Sequence, residues 1–302
     1  MRFVLLTHHL EHFSNHRLIE AAEARGHQVI PVDATRSTLL LTGATPEVHV
    51  AGEPLTDVNA VIARVGASSS AYGIAVLRHF EMQDVVCVSG SLAIARSRDK
   101  LRALQILSRR GVQMPFTAVA DHPSEVDRIL KAVGRPPYVI KVIEGSQGLG
   151  VVKADSESAA RSVIEALQGL KAKILVQEFI AEAEGADLRC FVVKDKVVAS
   201  MRRQGAPDDF RSNLHRGGSA TSCKLTRAER EMAVKAAKAM GLSVAGVDLL
   251  QSHRGPLVME VNSSPGLEGI ERATGIDVAS KVIEHVEQSA LMKHRGERSS
   301  KH

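Results

Sequence analysis

The sequence predicts an α/β chain assembled from α+β subdomains, and three stretches predict it. The first 95 residues alternate short apolar runs with helical periodicity, which is the pattern of a βαβ opening. From Tyr138 the pattern becomes strand, glycine-rich turn, strand, helix and strand. The last third carries long β-type runs, a helix and an acidic hairpin before a closing helix.

In order, RFVLL at 2–6 reads as a buried strand, Asn15 to Arg25 as a helix stopped by Gly26, and HQVIPV as a second strand. Asp57 to Arg64 reads as a strand, Ala71 to Gln83 as a helix and VVCV at 85–88 as a strand. A helix from Ser97 to Arg110, with Leu101, Leu104 and Leu107 at helical spacing, ends at Gly111 and marks a boundary. YVIKVIEGSQGLGVVKA is a strand pair about a glycine-rich turn, followed by a helix from Ser156 to Gln168 and the strand ILVQEFI. LRCFVVKDKVVASMRR is a further strand pair, Thr226 to Met240 a helix, VAGVDLLQSHRGPLVMEVN a hairpin and Asp277 to Met292 the last helix. The expected parts are 1–95, 96–177, 178–290 and a flexible tail 291–302.

Composition narrows the function classes. Aromatic residues make up 3% and Trp is absent, too few for platforms that stack bases, so no direct nucleic-acid binding is expected. The net charge of +5 and pI of 9.2 suit anionic ligands. Cys87, Cys190 and Cys223 form no CxxC pair, and no run approaches the roughly 18 apolar residues of a membrane span. A cytoplasmic protein is expected. The first strand lacks GxGxxG, so the opening domain is read as substrate-binding or scaffolding rather than dinucleotide-binding.

Four constellations carry chemistry. Asp248 and Glu260 are symmetric about the turn His253-Arg254-Gly255 and should face each other across the hairpin, where carboxylates about 4.5–5.5 Å apart repel unless a cation lies between them. Asn262, two residues on, shares Glu260's face and completes an all-oxygen set suited to magnesium or manganese. The turn Gly145-Ser146-Gln147-Gly148 lacks the GKS or GKT of a Walker loop. Alone it is as readily an ordinary flexible turn as a phosphate cradle. Lys141 interrupts the adjoining apolar strand, where a buried ammonium needs an anion such as phosphate; Lys100, on an amphipathic helix, is the weaker candidate. In the run 201–218, Arg202, Arg203, Arg211, His215 and Arg216 surround Asn213, a basic loop that is either solvated or poised for phosphate and carboxylate. Glu178 and Asp187 lie near a subdomain junction and are candidates to hold a ribose. His8, His9, His12 and His16 lack a third ligand at the spacing of a tetrahedral zinc site and are read as loop or surface histidines.

The lysine strand, glycine-rich hairpin, acidic hinge, Arg and Asn loop and Asp…Glu-x-Asn hairpin, in that chain order, resemble the ATP-grasp superfamily. VIARVG, FEMQ, SLAIARSRDKLR, VQEFI, DFRSNLHRGG, AGVDLL, GPLVMEVNSSPGLEGIE and TGIDVA extend the resemblance to the RimK family of ribosomal-protein glutamate ligases across nearly the whole chain. The resemblance implies an ATP-grasp fold behind an N-terminal pre-ATP-grasp domain. It implies that Lys100, Lys141, the 145–148 turn, Glu178, Phe179, Asp187, Arg211, Ser212 and Asn213 line an ATP site. Asp248, Glu260 and Asn262 would hold two magnesium or manganese ions, and Arg203 and Arg216 would reach the transferring phosphate or a substrate carboxylate. The implied reaction adds L-glutamate to the C-terminus of a small-subunit ribosomal protein through an acyl phosphate. A homo-oligomer such as a tetramer is also implied. THHLEHFSNH and the tail after Glu287 carry no family signature. Rival readings are glutamate ligation to a small cofactor or an amino-acid carrier protein, a phosphotransferase that stops at phosphorylation, and a noncatalytic ribosome-associated protein.

Overall fold

In this computed structural model, residues 1–41, 43, 45–66, 70–144, 149–207 and 209–299 are described. Strand β1 (Arg2–Thr7), buried from Phe3 onward, pairs in parallel with β2 (Gln28–Val32) after a crossover through α1 (Phe13–Glu23). Helix α1 begins two residues earlier than its periodicity suggests, and Gly26 at φ +75° turns the chain back. The hairpins β3 (Ser37–Leu40), β4 (Glu47–Val50) and β5 (Glu53–Pro54) form a small antiparallel sheet that the sequence reading passed over. Strand β6 (Ala60–Arg64) starts three residues later than expected because Asp57 takes φ +57°, outside strand geometry. With α2 (Ser70–Met82) and β7 (Val86–Cys87) it completes a parallel sheet of order β2-β1-β6-β7.

The helix expected from Ser97 to Arg110 is α4 (Lys100–Arg109), and a separate helix that the reading passed over, α3 (Ser91–Arg98), precedes it. Asp99 divides them: its backbone is extended, and its carboxylate accepts from Arg102 N at 2.9 Å as the cap of α4. The central unit then runs β8 (Thr117–Ala118), α5 (Val126–Val133), β9 (Tyr138–Val142), β10 (Val151–Ala154), α6 (Glu157–Gly169) and β11 (Ile174–Glu178). Its antiparallel sheet has the order β10-β9-β11-β8, and its core, with Tyr138, Ile140, Val176, Leu130 and Ile164, is its own.

The C-terminal unit comprises β12 (Ala186–Val193), β13 (Lys196–Gln204), β14 (Ser219–Ser222), α7 (Arg227–Met240), β15 (Val244–Leu250), β16 (Leu257–Asn262), α8 (Glu268–Thr274) and α9 (Val278–Ser299). Thr226 and Glu229 close a capping box on α7. The sheet order is β14-β13-β12-β15-β16. Its two faces share cores with the N-terminal unit: Cys190, Val247 and Met240 pack in one cluster with Val4, Leu6 and Phe80, and Phe191 and Val282 in another with Phe3 and Leu5. Helix α9 continues to Ser299, past the Met292 limit read from sequence, and Lys293 reaches the Asp84 carbonyl. Among the described residues no helix is long and apolar enough to cross a membrane.

Candidate active site

Strands β15 and β16 place Asp248 directly opposite Glu260, the pairing that their symmetry about Arg254 suggests. The register then shifts, Leu249 opposing Val258, so Met259 is an extra residue that bends the strand just before Glu260. Asp248 is 2% exposed, whereas Glu260 is surrounded by protein yet open to solvent, as a group on the floor of a cleft.

Asp248 does not depend on a metal for its counter-charge. Arg189, opposite it on β12, donates through Nε to Oδ1 and through Nη2 to Oδ2 at 2.8 Å. Arg203 donates through Nη2 to Oδ2 at 2.9 Å and also grips Asp187, from Nε at 2.7 Å and from Nη2. Burial opposes ionisation of Asp248, but the two guanidiniums outweigh it and hold its carboxyl below the usual range. Burial and the Asp248 charge push Asp187 up, against Arg203. A carboxylate offers about four lone-pair directions, so three donors leave Asp248 one on Oδ1. Glu260 receives no hydrogen bond among the described residues, and Asn262 Nδ2 is buried without a partner. Asp248 Oδ1, a Glu260 oxygen and the Asn262 amide oxygen, on one face of the hairpin, are the candidates to hold a hard divalent cation.

Two lysines approach the same carboxylate from the central unit. Lys141 on β9 is pushed down to about 8 by burial and by the Lys100 charge, with Glu260 pulling the other way. Lys100 donates to Val142 O at 3.0 Å, is likewise lowered by burial, and also feels Glu260. Burial and Asp248 raise Glu260, against the pull of Arg189, Lys141 and Lys100. Gly145, Ser146, Gln147 and Gly148 lie outside the described residues.

The basic loop folds back on itself because its ends are glycine. A Cβ on Gly205 would meet Asp209 O at 2.3 Å, and one on Gly218 would meet Gln204 O at 2.7 Å. Within it Arg211 forks onto Asp209 and reaches Val151 O at 3.4 Å on the central sheet, and Ser212 is buried. Asn213 precedes the turn 214–216 that contains Arg216, whose side chain lies outside the described part. Phe179 meets Phe210 edge-on at 6.1 Å and carries Lys153 over its ring at 5.0 Å.

Glu178 and Asp187 enter separate contacts. Glu178 accepts from Phe116 N at 2.8 Å and from Arg254 of the hairpin turn, while Asp187 belongs to Arg203. Arg189, Arg254, Arg64 and Arg98 were missed from sequence. Arg189 had a signal, lying two residues after Asp187 on the same strand face, but which strand lies across from it is not written in the pattern. The N-terminal histidines lie at the surface as expected, although Glu11 supplies the third group the reading found lacking: one ligand atom each of His9, Glu11 and His12 lie within 4.8 Å of one another. His8 instead pairs with Asp33 at 3.1 Å.

Residues 97–286 match the model of the RimK-like ATP-grasp domain and residues 1–94 that of the RimK PreATP-grasp domain. A probable alpha-L-glutamate ligase of Pseudoalteromonas translucida is 59% identical over 293 residues, and one of Aliivibrio fischeri 57%, each alignment covering 97% of both chains. Among solved structures, the ATP-grasp ligase PsnB, complexed with a phosphomimetic variant of its minimal precursor, Mg and ADP, superposes with a TM-score of 0.74. It is 21% identical, and the alignment covers 95% of this chain and 98% of that one.

Proposed function

The chain belongs to the RimK-like ATP-grasp family and is a carboxylate–amine ligase, and on that premise we propose that it adds L-glutamate to the C-terminus of a small-subunit ribosomal protein. The observation that carries the reading is the convergence of Lys100 and Lys141 on Glu260, beside the Asp248 and Asn262 oxygens. Cations from one subdomain and hard oxygen ligands from another suit a nucleotide triphosphate with its divalent metal.

In this reading ATP lies between the central unit and the C-terminal sheet, lined by Lys100, Lys141, the 145–148 turn, Glu178, Phe179, Asp187, Arg211, Ser212 and Asn213. Asp248, Glu260 and Asn262 would hold two magnesium ions, or manganese, which would neutralise charge on the phosphates. The acceptor carboxylate oxygen attacks the γ-phosphorus and the bond to ADP breaks. The glutamate amine then attacks the acyl carbon, phosphate leaves and the amine gives up a proton. Neither step needs a nucleophile from the protein, so its own groups position the reactants and balance charge. Arg203 and Arg216 are assigned to that balance; for Arg203 this is transmitted through Asp248, which it binds. We assign 1–95 to substrate binding, 96–177 and 178–290 to the nucleotide clamp, and place the enzyme in the cytoplasm as a homo-oligomer. The net charge of +5 favours acidic C-terminal tails.

The test is intact-mass analysis of the purified ribosomal acceptor after incubation with the protein, ATP, magnesium and glutamate, with Asp248→Asn as control. Successive glutamate increments absent from the control are expected. Glutamate-dependent ADP release without an increment would move the acceptor to a cofactor or carrier protein. A stable phosphorylated product with no amide would replace ligation by phosphotransfer.

A further inference from the structure

Arg64 and Arg98 carry charges that the reading above does not use. Arg64 is the last residue of β6, at the carboxyl end of the parallel sheet beside Thr7 of β1. Ligands of open α/β sheets bind outside that end. Arg98 ends α3, two residues before Lys100. Each is anchored by one backbone carbonyl: Arg64 Nη1 donates to Pro265 O at 2.7 Å, and Arg98 Nη2 donates to Val65 O. Pro265 follows Asn262 by three residues, so Arg64 is tied to the segment that leaves the proposed metal strand.

Neither guanidinium has a carboxylate within 4.0 Å among the described residues, and Arg98 Nε is buried with no acceptor. Arg203 and Arg189, by contrast, are paired with Asp187 and Asp248. Burial and the Arg98 charge bring Arg64 down to about 10, and burial lowers Arg98 against the pull of Glu260. Two mutually repelling, poorly solvated guanidiniums are costly unless an anion joins them. The cavity beside Arg64, of about 20 Å³ and lined by Ile62, Phe191 and Val244 as well as Ser89 and Ser263, has room for a water but not for a carboxylate with its chain.

We propose that Arg64 and Arg98 form a carboxylate subsite on the N-terminal wall of the cleft, holding a substrate carboxylate next to the Glu260 site. Guanidinium forks match carboxylates bidentately. The proposal rests on the ligase reading, in which both substrates carry carboxylates, glutamate as donor and the acceptor terminus. The chemistry is shared, and kinetics distinguish the sources.

Arg64→Gln and Arg98→Gln are compared with wild type for the KM of glutamate, acceptor and ATP separately. The expected result is a rise of about 10- to 100-fold in the KM of one carboxylate substrate, with the ATP KM within about twofold. A rise for glutamate assigns the subsite to the donor, and a rise for the acceptor assigns it to the terminus. Arg64→Lys, which keeps the charge but not the fork, should fall between. Unchanged KM values for both carboxylate substrates overturn the proposal. Should the variants fail to fold, phenylglyoxal labelling of the wild type with peptide mapping decides the matter. Glutamate or an acceptor peptide should protect Arg64 and Arg98 where ATP and magnesium alone do not, and equal labelling rejects the subsite. Wild-type protein without glutamate-dependent ADP release would sink the ligase reading itself, before any variant is compared.

Discussion

The two walls of the cleft treat charge in opposite ways. On the C-terminal sheet, Asp187, Arg203, Asp248 and Arg189 alternate in sign and bond to one another, with both acids 2% exposed. Facing them, Arg64, Arg98, Lys100 and Lys141 are all cationic, and the carboxylate that reaches the last three is Glu260 of the other wall. A closed network fixes geometry, because every charge in it has lost its water and found its partner. An open row of cations stores unmet attraction, which anionic ligands release. The ion-paired network is therefore scaffold and the cationic row receptor, and substitutions should separate the two roles.

The largest effect should come from opening the closed wall. Arg203→Met leaves Asp187 and Asp248 buried with one fewer guanidinium, and a broken buried pair costs about 3–5 kcal/mol. The urea midpoint of the ligand-free protein should fall accordingly. A stability within about 0.5 kcal/mol of wild type, from midpoint and slope together, would mean that the network is not scaffold.

Glu260→Gln should do the reverse, reducing turnover by about 100-fold or more while sparing the fold. The sign follows from its raised carboxyl. Below the unfolded-state value near 4.5 its contribution is fully present, and it is lost as pH rises through the higher folded value. Ionised Glu260 thus destabilises the ligand-free protein, and Glu260→Gln should flatten that decline with pH. Magnesium removal should depress wild-type turnover in the same way and leave the variant little changed.

Lys141→Met probes the receptor wall. Lys141 is held down to about 8, so between about 8 and its ordinary 10.5 the unfolded chain binds more protons and stability rises with pH. Below about 8 the whole cost of its charge is present. The Met variant should be more stable at pH 7, on the order of 1–3 kcal/mol, without the alkaline rise, and should bind ATP more weakly. Denaturation at pH 7 and pH 10 measures both slopes. Loss of stability at pH 7 would place Lys141 in the scaffold.

How far this division can be read in advance depends on the distance over which the pattern operates. The Asp248 and Glu260 pairing was legible because a hairpin fixes its own register locally. Lys141 was legible because a charge inside YVIKV contradicts its apolar neighbours. Arg189 was not, since its partner lies 59 positions away on a strand whose neighbour no periodicity specifies. Helix α3 was passed over because the leucine spacing begins only at Leu101, and the expected helix overran the Asp99 cap at its start. Helix α5 was passed over although Val126, Ile129, Leu130 and Val133 lie on one buried face.

The smallest effect tests where the two walls meet at the hinge. Arg254 on the β15–β16 turn pairs with Glu178 of the central sheet and lies over the Phe116 ring at 4.4 Å, with 41% of its side chain exposed. Solvent and salt screen such a contact, so Arg254→Ala should cost less than about 1 kcal/mol in the ligand-free protein, and less again at high salt. Its effect on ATP is more informative. In the proposed reading Glu178 lines the nucleotide site and Arg254 competes for its carboxylate, so removing Arg254 should tighten ATP binding by no more than about fivefold. Weaker binding would instead make Arg254 a nucleotide contact in its own right, and the hinge would join the receptor wall.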